Sequence, residues 1–286
     1  MYQDPVRFPM ISVLRCGRYP LALDRPLVMG IVNVTPDSFF DGGRHVEALA
    51  AVAHARRLVA EGADLVDVGG ESSRPGAAPV STDEELARVL PVLEGLAGLG
   101  VPISVDTTRP EVMREALARG ATMINDITAL AAPGAAETVA RSGAAVCLMH
   151  MQGEPRTMQE KPVYGDVVAE VRDFLAARAA ACVAAGVARE RIVVDPGFSF
   201  GKTTADNLRL LAHLDAIVAL GYPVLVGLSR KSSLGRITGK TPDDRLPASV
   251  AGALLAVQRG AAIVRAHDVA ATRDALAVLT AVERQQ

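Results

Sequence analysis

A short aliphatic run followed by a longer helix-forming stretch recurs eight times along this chain of 286 residues, and that period constrains its fold more than any other feature. The runs are "PLVMGIV", "DLVDVG", "VPISV", "TMIN", "AAVCLMH", "RIVV", "YPVLVGL" and "AAIVRA". They are largely continuous rather than alternating, as strands of a parallel sheet covered on both faces must be. Helix signals fill the intervals, at 46–61, 82–99, 110–119 and 163–185 among others. Gly62, Gly100, Gly120, Gly143, Gly186, Gly221 and Gly260 stand just before the next run. A residue without a Cβ suits the left-handed backbone that ends a helix there. Ser81 and Thr82, followed by "DEE", supply an N-terminal capping signal. Eight strand–helix units predict an α/β protein of the (β/α)8 TIM-barrel class. The alternation alone also permits a doubly wound open sheet, but strand number and chain length favour the barrel. Residues 11–23, "ISVLRCGRYPLAL", read as a β-hairpin turning near Gly17 and closing the barrel's bottom. One domain is expected over 1–286, with 1–25 as its hairpin extension.

Composition removes several function classes. Half of the residues are hydrophobic and the net charge is −2 without a block of one sign, which predicts no nucleic-acid or membrane surface. No apolar run reaches the ~20 residues that span a bilayer, and "MYQDPVRFPM" lacks the layout of a signal peptide. The three cysteines, Cys16, Cys147 and Cys182, form no CxxC pair and fit a reduced compartment. A soluble cytoplasmic protein is expected.

In a barrel of this kind the active site lies where the strands end. The first run ends at Asn33, with Thr35, Asp37 and Asp41 following; the second enters "GGESSRPGA", with Glu71, Ser73 and Arg74. The next four end at Asp106, at Asn125 and Asp126, at His150 and at Asp195. The last two lead to Ser229, Arg230, Lys231 and Ser232, and to Arg265 and His267. One polar strand end is an ordinary helix cap or turn; all eight together mark a site. Asp106, Asn125, Asp195 and Lys231 match the edge of a flat heterocycle that alternates amino, ring N–H and carbonyl groups. Asn33, Arg74, Arg265 and His267 suit a phosphate or pyrophosphate, whose oxygens Mg²⁺ commonly shares. "GFSFGKT" is not a P-loop, because its glycines are too close for GxxxxGK[ST]. The five histidines lack metal-ligand spacing, and His45, His54 and His213 read as structural.

Taken together, "MGIVNVTPDSFFDGG", "DVGGESSRPGA", "ISVDTTRPEV", "NDI", "CLMHMQGEPRTMQ", "DPGFSFGKT", "VGLSRKS" and "RAHDV" resemble, in order, the motifs of the dihydropteroate synthase family. The resemblance implies condensation of 6-hydroxymethyl-7,8-dihydropterin pyrophosphate with p-aminobenzoate to give 7,8-dihydropteroate and pyrophosphate. It also implies Mg²⁺, a homodimer and inhibition by sulfonamides. Carried over by position, the pterin pocket falls on Asp106, Asn125, Asp195 and Lys231, with Arg265 over the ring. Asn33 resembles the Mg²⁺ ligand, Arg74, Arg265 and His267 the pyrophosphate grip, and Asp41 the loop carboxylate that closes over the site. Phe39, Ser73, Pro75, Phe200, Lys231 and Ser232 match the p-aminobenzoate pocket. In a chain with no Trp and six Phe, the loop residues Phe39 and Phe200 then read as flat walls for an aromatic amine; Phe40 and Phe198 are left open between wall and packing. The implied mechanism is dissociative, with Asp106 and Asp195 favouring a pterin cation. Ser73, Ser199 and Ala266 stand where the family has Thr, Gly and Val; Ser199 puts its loop's backbone angles in question. A corrinoid-linked methyltransferase would need neither the "SRKS" nor the "SSRPG" loop, and a non-catalytic pterin-binding relative should have lost residues that this chain keeps.

Overall fold

The computed structural model describes residues 11–34, 43–72 and 76–285. All eight aliphatic runs are strands of one parallel sheet. In chain order they are β3 (Leu27–Asn33), β4 (Leu65–Gly69), β5 (Ile103–Asp106), β6 (Met123–Asp126), β7 (Ala145–Met149), β8 (Ile192–Asp195), β9 (Leu225–Val226) and β10 (Ile263–Ala266). The spatial order runs β8-β7-β6-β5-β4-β3-β10-β9. Its two ends then meet, for Val194 bridges Val224 and its N–H donates to Pro223 O at 3.0 Å. The sheet is a closed barrel, and the open-sheet alternative is excluded.

Helices α1 (Gly43–Ala60), α2 (Thr82–Gly95), α3 (Pro110–Ala118), α4 (Ala135–Ser142) and α5 (Val167–Ala184) follow the first five barrel strands in turn. After β8 come α6 (Thr204–Ala212) and α7 (Asp215–Val218), then α8 (Ser232–Thr238), α9 (Leu246–Val257) and α10 (Val269–Glu283) around the last strands. Ser81 caps α2, accepting the Glu84 N–H at 3.1 Å. α5 begins at Val167 rather than 163 because Asp166 caps it, its carboxylate accepting the N–H groups of Val168 and Ala169. The seven glycines expected before strands all have positive φ, from +76° at Gly143 to +100° at Gly62.

The N-terminal hairpin is β1 (Val13–Cys16) paired antiparallel with β2 (Tyr19–Ala22) around Gly17, whose φ is +57°. Its Leu14 and Cys16, with Leu23 just beyond, are buried against Leu27, Met29, Leu65, Met123 and Val193. These stand at or near the N-terminal ends of their strands, so the hairpin closes the bottom as expected. A second aliphatic core fills the layer between strands and helices. Helix α1 holds His45, whose side chain lies outside the described residues.

Register sets the opposite end. Asn33 pairs with Gly69, Gly69 with Asp106, Asp106 with Asn125, and Met149 with Asp195. Parallel pairing therefore collects the polar strand ends at one rim.

Candidate active site

The deepest polar cluster is built from the adjacent strands β4, β5 and β6 together with β10. Arg265 of β10 donates through Nε to Asp67 Oδ2 at 2.7 Å and through Nη2 to Asp106 Oδ2 at 3.3 Å. Asn125 Nδ2 donates to the same Asp67 oxygen at 3.0 Å. Asp67, at the middle of β4, is fully buried, and its Oδ1 has no hydrogen-bond partner among the described residues. Sequence reasoning missed it. The available signal was a carboxylate interrupting "DLVDVG", where both faces of the strand are covered.

Burial and mutual charge tune the titratable groups here. Burial, reinforced by the negative Asp67, pushes the Asp106 carboxyl up to about 7, against the pull of Arg265. Asp195 is raised by burial, although Lys231 and the Gly197 N–H, 2.7 Å from its Oδ1, favour its ionised form. Lys231 is lowered to about 8 by burial, with Asp195 resisting. Burial pulls Arg265 down, but Asp67 and Asp106 outweigh it and hold the guanidinium charged. The result is a recessed set of acceptors and donors whose own charges nearly balance, ready for a flat hydrogen-bonding solute.

Next to this cluster the loops after β8 and β9 meet. The Lys231 ammonium lies 4.5 Å from the centroid of the Phe200 ring and donates to Phe198 O. Phe200 is half-buried, whereas Phe198 is 1% exposed and belongs to the outer core, so its role is packing. Ser232 opens α8 directly behind Lys231. Ser229 Oγ sits 3.0 Å from His267 Nδ1 and accepts the His267 N–H at 3.2 Å, which ties the ends of β9 and β10 together. Arg230, held at φ +57°, makes a bidentate pair with Asp268 at 3.0 and 2.6 Å.

Ser199 keeps a left-handed backbone, φ +67°, despite its Cβ. That strain, about 1 kcal/mol, is offset locally: its N–H donates to Asn207 Oδ1 at 2.7 Å and its carbonyl accepts from the Gln159 amide. Ala266 is buried and only packs. Asn33 ends β3 half-buried beside Gly69. Phe39, Phe40, Asp41, Ser73, Arg74 and Pro75 lie outside the described residues. The loop that carries the last three is anchored at both ends by Arg109, which donates to Glu71, to Val80 O at 2.7 Å and to the buried Glu85. Among the described residues no group of three or more His, Cys, Asp and Glu could cage a metal.

The fold and its rim define a class: barrels whose strand ends turn carboxylate, amide and ammonium groups toward a single ligand. The family model described as "Pterin binding enzyme" matches residues 29–267. The dihydropteroate synthase of Neisseria meningitidis serogroup C is 55% identical over 269 residues, covering 92% of this chain and 95% of that protein. The solved dihydropteroate synthase of Xanthomonas albilineans with 4-aminobenzoic acid superposes with a TM-score of 0.90 at 56% identity, covering 95% of this chain and 98% of that one. Its complex with 7,8-dihydropteroate gives 0.85 at 52% identity with the same coverage. The chain belongs to the dihydropteroate synthase family of pterin-binding enzymes.

Proposed function

We propose that this chain joins 6-hydroxymethyl-7,8-dihydropterin pyrophosphate to p-aminobenzoate, releasing pyrophosphate and 7,8-dihydropteroate. The observation that carries the reading is the junction, at one barrel mouth, of the Asp67–Arg265–Asp106–Asn125 cluster with the Lys231–Phe200 stack. It is supported by the extent of identity to dihydropteroate synthases.

In this reading Asp106, Asn125 and Asp195 meet the amino and ring N–H groups of the pterin, Lys231 donates to its carbonyl, and Arg265 packs over the ring. Asn33, Arg74, Arg265 and His267 hold the pyrophosphate. Phe39, Ser73, Pro75, Phe200, Lys231 and Ser232 enclose p-aminobenzoate, and Asp41 closes over the site. The methylene C–O bond breaks with its electron pair leaving on pyrophosphate, and the resulting pterin cation is favoured by the carboxylates of Asp106 and Asp195. The amine nitrogen then bonds to that carbon and loses a proton. Asn33 would offer its carboxamide oxygen to Mg²⁺, which when bound adds positive charge beside the departing pyrophosphate.

A homodimer and a cytoplasmic location complete the proposal. Exposed Leu208 of α6, Ile237 of α8 and Leu255 of α9 support the first as apolar surface for a second copy. No helix among the described residues is long and apolar enough to cross a membrane, which accords with the second.

Pyrophosphate release by the purified protein with Mg²⁺ tests the reaction. Turnover that requires p-aminobenzoate and is suppressed by a sulfonamide is expected; tight pterin binding without release would overturn it. Asp106→Asn should slow C–O cleavage in a single turnover, and an unchanged rate would remove the electrostatic role.

A further inference from the structure

The "GFSFGKT" motif leaves one group that the reaction does not use. Lys202 is only 1% exposed, and among the described residues no carboxylate lies within ion-pair distance of it. Its ammonium reaches four acceptors instead: Gly197 O and His150 Nδ1 at 2.9 Å, Phe200 O at 3.0 Å and His150 O at 3.3 Å. Three N–H donors shared among four acceptors fully occupy the ammonium. Burial pulls its pKa down to about 7 against the more distant attraction of Asp195, so an amine with no contacting carboxylate is costly enough here to need a purpose.

The acceptors belong to two loops, residues 150–166 after β7 and 196–203 after β8. Parallel ties join the same loops. Tyr164 donates its hydroxyl to Gly201 O at 2.7 Å, and the Gln159 amide donates to Ser199 O. A Cβ on Gly197 would stand 1.9 Å from His150 O, and one on Gly201 2.2 Å from Gln152 O, so the backbones are in direct contact. Lys202 grips the turn at both flanks, at Gly197 O and Phe200 O, between which Phe198 enters the core and Phe200 meets Lys231.

We propose that Lys202 is a positioning residue for the second substrate: its ammonium pins the 197–200 turn so that Phe200 is held against Lys231, and this sets affinity for the aromatic amine rather than for the pterin. The inference rests on Phe200 lining the p-aminobenzoate subsite as proposed above. Asp195, which faces the pterin, belongs to β8 itself, and the barrel's ladder bonds hold its backbone. The turn touches its carboxylate through the Gly197 N–H at 2.7 Å, at the flank away from Phe200.

The test is Lys202→Met in the full chain, with KM measured for both substrates, pterin pyrophosphate affinity by calorimetry, and Phe200→Ala as reference. Losing the charged donor should raise the KM for p-aminobenzoate by about tenfold while that for pterin pyrophosphate stays nearly constant. A folded Lys202→Met protein with an unchanged p-aminobenzoate KM, or with both KM values raised alike, would overturn the proposal. Should that variant fail to fold, the double variant Gln159→Ala/Tyr164→Phe removes the parallel ties. A selective rise in the p-aminobenzoate KM then supports the proposal, and wild-type values overturn it. If Phe200→Ala leaves the p-aminobenzoate KM unchanged, the subsite assignment fails, and the inference fails with it.

Discussion

Asp67 and Lys202 are buried charged groups, one inside a strand and one behind a loop, and each holds other site residues in place. Asp106, Asn125, Asp195, Lys231 and Arg265 were legible because they end or follow aliphatic runs, where a barrel puts its chemistry. Asp67 lies inside a run, and the run's continuity masked it. Lys202 sits in a motif whose likeness to a P-loop fails on spacing, and nothing in the letters shows that three carbonyls converge on it. Asp67 bears directly on function because it links Arg265 to Asn125. Asp67→Asn leaves Arg265 with one carboxylate instead of two, and a loss of about 3 kcal/mol is expected, read from urea unfolding. The pH profile offers a second reading of the same contact. Asp106 must be ionised to accept from the pterin and Lys231 protonated to donate, so kcat/KM for pterin pyrophosphate should be a bell with limbs near 7 and 8. Removing the Asp67 charge removes a cause of the raised Asp106 pKa, so Asp67→Asn should carry the acid limb to lower pH.

Among elements, strands were easier to foresee than loops. Each aliphatic run became a strand, and the seven glycines just before those strands took the left-handed backbone expected of them. The helix expected from 163 starts at Val167 because Asp166 caps α5 there, and 163–166 fall in the 150–166 loop. That loop and its neighbour share the Lys202–His150 contact, which has a cost in acid. Burial, with the Lys202 charge adding to it, lowers His150 to about 3. Between the ordinary histidine value of about 6.5 and that lowered one, the unfolded chain binds a proton that the folded chain refuses. Stability from this group is therefore present above pH 6.5 and is lost as pH falls toward 3. In His150→Gln the amide oxygen can still accept from Lys202 but does not titrate. Urea unfolding from pH 6.5 to 4 should show the wild type losing stability more steeply than this variant.

For the whole molecule, the hairpin and the barrel are one packing unit. Leu14 is fully buried in the cluster that joins them. Leu14→Ala should cost about 3 kcal/mol and lower the melting temperature. KM for both substrates should not change, because the site is at the opposite end of the strands. The seam between β8 and β9 has a different meaning. Five residue pairs join β3 to β4, but around the seam the ring is completed by the bridge from Val194 to Val224. Lys231, reaching back to Phe198 O, crosses that seam at the rim. The barrel is thus a hoop with a clasp, and the clasp lies beneath the loops that carry Phe200 and Lys231. Any guest large enough to stretch the hoop will be felt there before it is felt elsewhere on the circumference.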